Sequence, residues 1–329
     1  MAGIFRPLLL AESPALLTTK PLRNAGGTTF YKDLPMPEMA KLLENLATND
    51  GGSVNSPIKG VRFFKNSTQT RRKPLLYTPG ICIVASGYKL GHLGGKTFRY
   101  DAGNYLVTSI SMPFECESFP NGKEPLLGMF IDIDLVQLND LIRQVDLHTD
   151  LHAHTASDYQ LAIGPSVMDA EMKDATIRLL KAHRSEQEAR ILGPAYVREI
   201  HYRALCGSQA PVLLSAARGN GTMSQVLNAI SLMERSYQDK FDIKQLAVSA
   251  HMSTSAFHKA FKDITADSPL QYLKKIRLAK ARDLIVQSKM RANLAASEVG
   301  YESPSQFSRE FKRYFGESPA DVMREMRSA

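Results

Sequence analysis

Two short stretches near the C-terminal end of the chain, "FHKAFK" at 257–262 and "FSREFK" at 307–312, repeat the same spacing of aromatic and basic residues. In each copy two phenylalanines stand four residues apart, and a third apolar residue three positions later lies on the same face of a helix. Polar and basic residues fall on the opposite face. The pattern predicts two amphipathic helices with buried stripes: Phe257, Phe261 and Ile264 in the first, and Phe307, Phe311 and Tyr314 in the second.

The residues before the first of these helices complete a helix-turn-helix pattern. Asp242 is a candidate cap for a helix in "IKQLAVSA", with Gln245 three residues later. A turn is expected at His251–Met252, and Ser253 or Thr254 is expected to cap the second helix. A buried first helix, a short turn and a second helix with an outward polar face are the parts of a helix-turn-helix unit.

The second copy has the same order of parts: "LAASEV" as the first helix, Gly300–Tyr301 as the turn, Ser303 as the cap and Pro304 at the first helical position. Corresponding residues of the two copies are 50 positions apart after the turn and 49 before it, which indicates one residue inserted beside the turn. One such helix is usually only part of a core, but two capped helices in register favour a functional pair.

A helix predicted from Pro269 onward, "PLQYLKKIRLAKARDLIVQ", joins the two units and would span about 25 Å. Such a spacer suits two reading helices that enter successive major grooves of DNA, about 34 Å apart. Of the chain's net charge of +8, residues 223–329 carry +5, from 17 Lys and Arg against 12 Asp and Glu. This excess of positive charge favours a polyanionic partner.

Residues 61–206 predict a different kind of domain. Short runs rich in β-branched and aromatic residues indicate an antiparallel sheet sandwich or barrel: "GVRFF", "GICIVASG", "KTFRYD", "GNYLVTSI" and "LLGMFIDID". The segment "GHLGGK" predicts a hairpin, and "TRRKP" predicts an exposed loop. Helices are predicted in "LVQLNDLIRQV" and after Pro194. An apolar helical stripe fits a dimer face and a plain core equally well: Met168, Met172, Ala175 and Leu179.

Composition divides the rest of the chain. Residues 1–60 are predicted to be an N-terminal extension that packs on the barrel, and 207–222, rich in Gly, Ser, Ala and Asn, to be a linker. Residues 223–329 are predicted to be all-α. No apolar run approaches the roughly 20 residues needed to span a bilayer, and the N-terminal run is broken by Pro7 and Pro14, which does not fit a secretory signal.

The three cysteines, Cys82, Cys116 and Cys206, are too scattered for a disulfide framework or a structural zinc site. This favours a reducing cytoplasm. Cys116, in "MPFECESF", is either a buried strand cysteine or a redox or electrophile sensor, and the flanking Glu115 and Glu117 disfavour a thiolate unless they point away.

Histidine spacing disfavours a metal site. A catalytic metal site needs several His or acidic ligands close together, whereas His92 stands alone in the sheet region. In "DLHTDLHAHT", which also contains His154, His148 and His152 stand at i and i+4, but two ligands are too few. We therefore predict no metal and no other cofactor.

The segment "GYESPSQFSREFKRYFGESPADVMREMR" resembles the C-terminal DNA-binding domain of AraC/XylS-type bacterial transcription regulators, over roughly 225–329. The segment "PLLYTPGICIVASGYKLGHLGGKTFRYDAGNYLVTSISMPFE" is similar to the sheet-rich N-terminal regulatory domain of a subgroup of that family, over much of 60–200. The resemblance implies that residues 61–206 form a cupin-like domain that binds a small effector and mediates some self-association.

By this resemblance, seven outward residues take base-reading positions: Ser255, His258 and Lys259 in the first unit, and Ser305, Gln306, Ser308 and Arg309 in the second. The family often has a large side chain where Ser255 stands. Arg309 suits a bidentate contact with guanine O6 and N7, and Gln306 suits adenine. Three further cations are better placed for phosphates: Lys262, Lys312 and Arg313.

The sequence is interpreted as an α+β domain, with a cupin-like antiparallel β-barrel plus helices, followed by an all-α domain of two helix-turn-helix units and a linker helix. We expect a cytoplasmic, sequence-specific transcription regulator that binds double-stranded DNA, responds to a small-molecule effector, forms a homodimer and, as an activator, contacts RNA polymerase. We expect no enzymatic activity. The alternative is an enzyme, alkyl-acceptor or cupin-type, fused to a DNA-targeting domain. A third interpretation, a basic nucleoid binder, predicts nearly equal affinity for any duplex.

Overall fold

The computed structural model describes residues 22–23, 29–30, 37–144, 161–218 and 221–328. The chain divides into two compact units, residues 1–34 and 35–329. The described part of the first unit is one antiparallel pair of short strands, β1 (Leu22–Arg23) and β2 (Thr29–Phe30). The predicted histidine cluster of "DLHTDLHAHT" lies outside the described residues.

The described strands of the larger unit form two antiparallel sheets that enclose apolar side chains. The strands are β3 (Ser53–Asn55), β4 (Val61–Asn66), β5 (Thr70–Tyr77), β6 (Gly80–Ser86), β7 (Tyr88–Leu93), β8 (Lys96–Asp101), β9 (Asn104–Thr108), β10 (Met112–Phe119), β11 (Leu126–Asp132) and β12 (Ile163–Val167). The four-stranded sheet has the order β5-β10-β7-β8, and the six-stranded sheet β12-β9-β6-β11-β4-β3. Because the sheets share no strand, they form an open sandwich and not a closed barrel. The predicted cupin-like antiparallel architecture is confirmed.

All five apolar runs singled out in the sequence are strands, and Gly94–Gly95 closes the predicted hairpin between β7 and β8. The prediction of an exposed loop at "TRRKP" is wrong, because these residues belong to β5. Pro74 disfavoured a strand in the sequence, because proline has no backbone N–H to donate to a neighbouring strand. β5 is an edge strand, so one side of its backbone needs no partner in the sheet, and Pro165 is placed similarly in the edge strand β12.

Five helices pack on or beside the six-stranded sheet: α1 (Pro37–Leu46), α2 (Leu135–Gln144), α3 (Ala170–Lys181), α4 (Glu186–Cys206) and α5 (Ala210–Arg218). In α1, Met39 and Leu43 are fully buried in this core. Residues 37–60 therefore belong to the sheet domain itself. The helix expected after Pro194 already begins at Glu186, where Ser185 supplies the N-cap.

Two other expectations about this region are settled by burial. Met172, Ala175 and Leu179 are at most 1% exposed and lie in the same core as α1, so the apolar stripe of α3 is intrachain core and no dimer face. The predicted linker is helical over most of its length, because Val212 and Leu213 in α5 are buried and order the chain there.

The C-terminal part is all-α, as predicted. Its helices are α6 (Gly221–Arg235), α7 (Ile243–Ser249), α8 (Thr254–Thr265), α9 (Pro269–Gln287), α10 (Ala292–Glu298), α11 (Pro304–Phe315) and α12 (Pro319–Ser328). Helix α9 begins at Pro269 with Ser268 as its N-cap and links the two units. At 19 residues it is about 28 Å long.

The buried residues form three apolar clusters. The first lies between the six-stranded sheet and helices α1–α5. The second fills the sandwich and continues without interruption into the first helix-turn-helix unit, so that Phe114 of β10 and Phe257 of α8 share one cluster. The third lies between the second unit and the C-terminal half of α9, and centres on Phe307 and Phe311. The two units are thus alike in sequence but differ in what they pack against.

Candidate nucleic-acid interface

The two helix-turn-helix units correspond part by part along the sequence. Helices α7 and α10 stand 49 residues apart, whereas α8 and α11 stand 50 apart. His251 and Gly300, also 49 apart, both have positive φ at the turn. The caps Ser253 and Ser303 are 50 apart, so Glu302 is the inserted residue that the change of offset predicted.

Capping sets where each reading helix starts. The Ser253 hydroxyl accepts a hydrogen bond from the backbone N–H of Ala256, and the Ser303 hydroxyl accepts one from Gln306. The Asp242 carboxylate accepts one from the N–H of Lys244 and caps α7. These bonds satisfy backbone donors that a helix start leaves free, and they fix which side chains face outward.

The buried stripes are as predicted, apart from Tyr314, which is only partly buried. Phe257, Phe261, Ile264, Phe307 and Phe311 are at most 1% exposed. All ten residues predicted to contact DNA are exposed: Ser255, His258, Lys259, Lys262, Ser305, Gln306, Ser308, Arg309, Lys312 and Arg313. Each reading helix therefore offers one polar and basic face away from its core.

The first unit is docked on the open end of the sandwich. The backbone N–H of Ala162 donates to the carbonyl oxygen of Ile264, at the end of α8, over 3.0 Å. The Tyr272 hydroxyl, on α9, lies 2.5 Å from the carbonyl oxygen of Ser111 and 2.8 Å from the Glu234 carboxylate. Burial raises the pKa of Glu234, against the opposing effect of hydrogen bonds from Tyr272 and Ser111. These contacts join the sheet domain directly to α8 and α9.

A polar cluster lies inside the sandwich. Lys89, only 7% exposed, donates a hydrogen bond from its ammonium to the Tyr77 hydroxyl over 2.7 Å. The Tyr77 and Tyr100 hydroxyls are 3.0 Å apart, and Tyr100 reaches Cys116 Sγ at 3.4 Å. The ammonium also lies 4.7 Å from the centre of the Phe64 ring. Among the described residues no carboxylate forms an ion pair with Lys89.

Cys116 is a buried strand cysteine, 2% exposed, that faces this interior. Its acidic neighbours point away, because Glu115 pairs with Arg72 and Glu117 pairs with His92. Burial raises the pKa of Cys82 to about 11, so its thiol is protonated at neutral pH. Cys206 is exposed at the end of α4.

His92 is engaged by its neighbours on the outer face of the four-stranded sheet. Its Nε2 lies 2.8 Å from Glu117 and its Nδ1 lies 3.0 Å from the Thr97 hydroxyl. Within the described ranges, no group of three His, Cys, Asp or Glu side chains is arranged to hold a metal ion. The same part of the chain contains no helix long and apolar enough to cross a membrane.

Comparison with known proteins matches both halves of the chain to family models. Residues 57–212 match the N-terminus of AraC-type transcriptional regulators, and residues 246–325 match a helix-turn-helix domain. The chain belongs to the AraC/XylS-type transcription regulators. The second match covers both reading helices, and the first covers most of the sandwich with helices α2–α4.

Relatives of this regulator include the HTH-type transcriptional regulator GbdR of Pseudomonas aeruginosa, 34% identical over 92 residues, which are 28% of this chain and 25% of GbdR. The matches to GbdR and to similar relatives span about a quarter to a third of those proteins' length. The lactose operon transcription activator of Staphylococcus xylosus is 27% identical over 71% of this chain and 79% of its own. ToxT of Vibrio cholerae, bound to an unsaturated fatty acid, has the same fold, with a TM-score of 0.58 at 11% identity over 80% of this chain and 93% of ToxT.

Two features of the site were missed in the sequence. Lys89 stands at an inward position of β7, between partly exposed residues and in phase with the buried Leu93. The alternation of β7 could therefore have identified Lys89 as a buried lysine from the sequence. Glu310 stands four residues after Gln306 on α11, a spacing that predicts a contact between the two side chains. The ion pair between Glu310 and Lys274 joins α11 to α9, and it could be identified only from the structure.

Proposed function

We propose that this chain is a sequence-specific DNA-binding transcription regulator whose N-terminal domain responds to a small-molecule effector. The observation that carries the proposal is the pair of capped, outward-facing reading helices, α8 and α11, with ten polar or basic residues exposed in the predicted positions. Two such helices joined by α9 suit two successive major grooves of one duplex. A regulator of this kind acts in the cytoplasm.

Base reading is assigned to seven of these residues and phosphate binding to three. Arg309 would make the most informative contact, because a guanidinium matches guanine O6 and N7 together. Ser255, His258 and Lys259 would read with the first unit, and Ser305, Gln306, Ser308 and Arg309 with the second. Lys262, Lys312 and Arg313 would bind phosphates, which adds affinity without sequence preference.

The test is selection of bound sites from random DNA by the full chain, repeated with Arg309→Ala. The unchanged chain should enrich one sequence, whereas Arg309→Ala should lose preference at one position and about 1–3 kcal/mol on the selected site. Nearly equal affinity of the unchanged chain for every duplex would support a nucleoid binder and refute the proposal. Equal loss by Arg309→Ala on all sequences would refute the reading role of that residue.

The effector is proposed to be a small organic acid bound inside the sandwich at Lys89. A buried ammonium without a carboxylate partner is costly, and an anionic ligand would offset that cost. ToxT, which shares the fold, has been crystallised with an unsaturated fatty acid and with (E)-4-(8-methylnaphthalen-1-yl)but-3-enoic acid, at TM-scores of 0.58 and 0.53. The rings of Phe64, Tyr77 and Tyr100 around Lys89 would hold the apolar part of such a ligand.

A thermal-shift screen with octanoate and benzoate tests this part. An acid that binds should raise the melting temperature and alter DNA binding, and Lys89→Met should lose both effects while it still binds the selected site. An acid that works equally well on Lys89→Met would exclude Lys89 as its anchor. Cys116, which touches Tyr100, is kept as a proposed redox or electrophile sensor, tested by whether Cys116→Ser changes DNA binding after mild peroxide.

A homodimer is proposed to form through a surface other than the buried stripe of α3. Ile191 and Leu192 on α4 are 65% and 42% exposed, which is high for adjacent apolar residues. Sedimentation of the full chain with and without Ile191→Asp tests this surface. If the regulator activates transcription, it would in addition contact RNA polymerase.

A further inference from the structure

One carboxylate on the second reading helix collects hydrogen bonds from three different elements. Glu310 Oε1 lies 2.9 Å from Lys274 Nζ on α9 and 3.3 Å from Gln306 Nε2, one turn earlier on α11. Glu310 Oε2 accepts a hydrogen bond from the Tyr301 hydroxyl, in the turn before the helix, over 2.8 Å. The side chain of Glu310 is only 13% exposed, so water competes little for these contacts.

The charge of Glu310 decides which atom of Gln306 faces it. Partial burial alone would raise the pKa of Glu310, but hydrogen bonds from Lys274, Tyr301 and Gln306 outweigh burial and lower it. An ionised carboxylate accepts hydrogen bonds and donates none. The Gln306 amide must therefore turn its nitrogen toward Glu310, which leaves its oxygen and one remaining N–H for a partner outside the protein.

We propose that Glu310 is a positioning residue that fixes the amide of Gln306 and so makes the second unit select adenine at one base pair. The inference rests on the proposed base-reading role of Gln306. In the major groove adenine offers a donor at N6 and an acceptor at N7, which match a glutamine that presents its oxygen and one N–H in that order. Guanine offers two acceptors there, at O6 and N7, so the outward oxygen of Gln306 opposes it.

The first unit has no counterpart of the Gln306–Glu310 pair. At an offset of 50 residues, Gln306 corresponds to Ala256 and Glu310 corresponds to the buried Ala260. Neither alanine has a polar side-chain atom that could hydrogen-bond to a base edge or to a neighbouring side chain. The braced glutamine, tied through Lys274 to the helix that joins the units, therefore gives the second unit a selectivity that the first lacks.

The test is site selection by the full chain with Glu310→Gln, followed by affinity measurements on duplexes that differ only at the base pair read by Gln306. That base pair is the one whose preference Gln306→Ala erases. In the unchanged chain adenine should be favoured about tenfold or more there. Glu310→Gln keeps the size and the Tyr301 contact, but a neutral amide faces Gln306 with either end, so the preference should fall below about threefold.

Three measurements separate positioning from mere stability. Affinity for random duplex should stay the same or rise, because Glu310→Gln removes a negative charge from the DNA-binding face. Glu317→Gln, which breaks the ion pair with Arg282 in the same unit, is the matched control and should leave the adenine preference unchanged. The double variant Gln306→Ala with Glu310→Gln should equal Gln306→Ala alone, since the two residues act as one.

Melting temperatures show whether the variants fold, and Glu310→Asp, which keeps the charge but shortens the reach to Gln306, provides a second variant that should also lose the preference. If the glutamine variant binds every duplex more weakly and retains its adenine preference, Glu310 is only structural and the inference is overturned. A chain that enriches no sequence at all would instead refute the proposed function, and this inference with it.

Discussion

A methyl group placed at Gly94 should disturb the contact between the sandwich and the first reading unit. Gly94 and Gly95 form the two-residue turn between β7 and β8, with φ of 57° and 77°. A Cβ added at Gly94 would lie 2.6 Å from the Cβ of Ala266, the residue that ends α8. A Cβ added at Gly95 would meet nothing within 4 Å.

The two neighbouring glycines allow the costs to be separated. Gly95→Ala pays only for an alanine with positive φ, about 1 kcal/mol. Gly94→Ala has the same backbone strain and, in addition, overpacks against Ala266, which destabilises the fold by about 1–3 kcal/mol more. The expected loss of unfolding free energy is therefore about 2–4 kcal/mol for Gly94→Ala and about 1 kcal/mol for Gly95→Ala.

Urea unfolding of the full chain measures these differences. Because the clash is with one methyl group, Ala266→Gly should remove it, and Gly94→Ala combined with Ala266→Gly should cost less than the sum of the separate changes by about 1–3 kcal/mol. Equal losses for Gly94→Ala and Gly95→Ala would refute the argument, since they would mean that the hairpin does not press on the end of α8.

Three further expectations follow from the same structure. Lys312→Ala should weaken binding to all duplexes alike and lower the slope of log K against log salt by about one, in contrast to Arg309→Ala, which should act on the selected site; salt titrations on both duplexes distinguish them. Burial lowers the pKa of His201 to about 4, so the folded state resists its protonation, and stability should fall by up to about 3 kcal/mol as pH drops from 6.5 to 4; His201→Gln should flatten that part of a pH series of unfolding curves. Cys82 should react slowly with an alkylating reagent in the folded chain, because it is buried and burial raises the pKa of its thiol, and a fast reaction there would revive the alkyl-acceptor alternative.

The C-terminal domain was largely predictable because local rules decide most of it. The caps Asp242, Ser253 and Ser303, the start of α9 at Pro269 and the buried phenylalanines all depend on contacts within one or two helical turns. The offset change beside the turn could be counted in the sequence, and the fold only had to assign it to Glu302.

The sheet domain was less predictable because its decisive contacts are distant in sequence. Pro74 argued against a strand until β5 was known to lie at an edge. The segment 207–222 was expected to be a linker on composition, yet Val212 and Leu213 are buried, and α5 packs against α2, which is distant in sequence, as well as against its neighbours α4 and α6. The polar cluster at Lys89 takes its side chains from β5, β7, β8 and β10, and no local sequence pattern brings these strands together: Tyr77, Lys89, Tyr100 and Cys116.

The separate apolar cluster of the second unit has a mechanical consequence. Moving the first unit off the sandwich would bring Phe257 and its neighbours into water, because they share a cluster with the sheet interior. The second unit has a cluster of its own, but that cluster includes Leu278, Ala281 and Ile285 of α9, so the second unit is packed onto the helix that joins it to the first. A signal from the sandwich that shifted the first unit would therefore act on α9 as well, and both reading helices would keep the spacing that this helix sets.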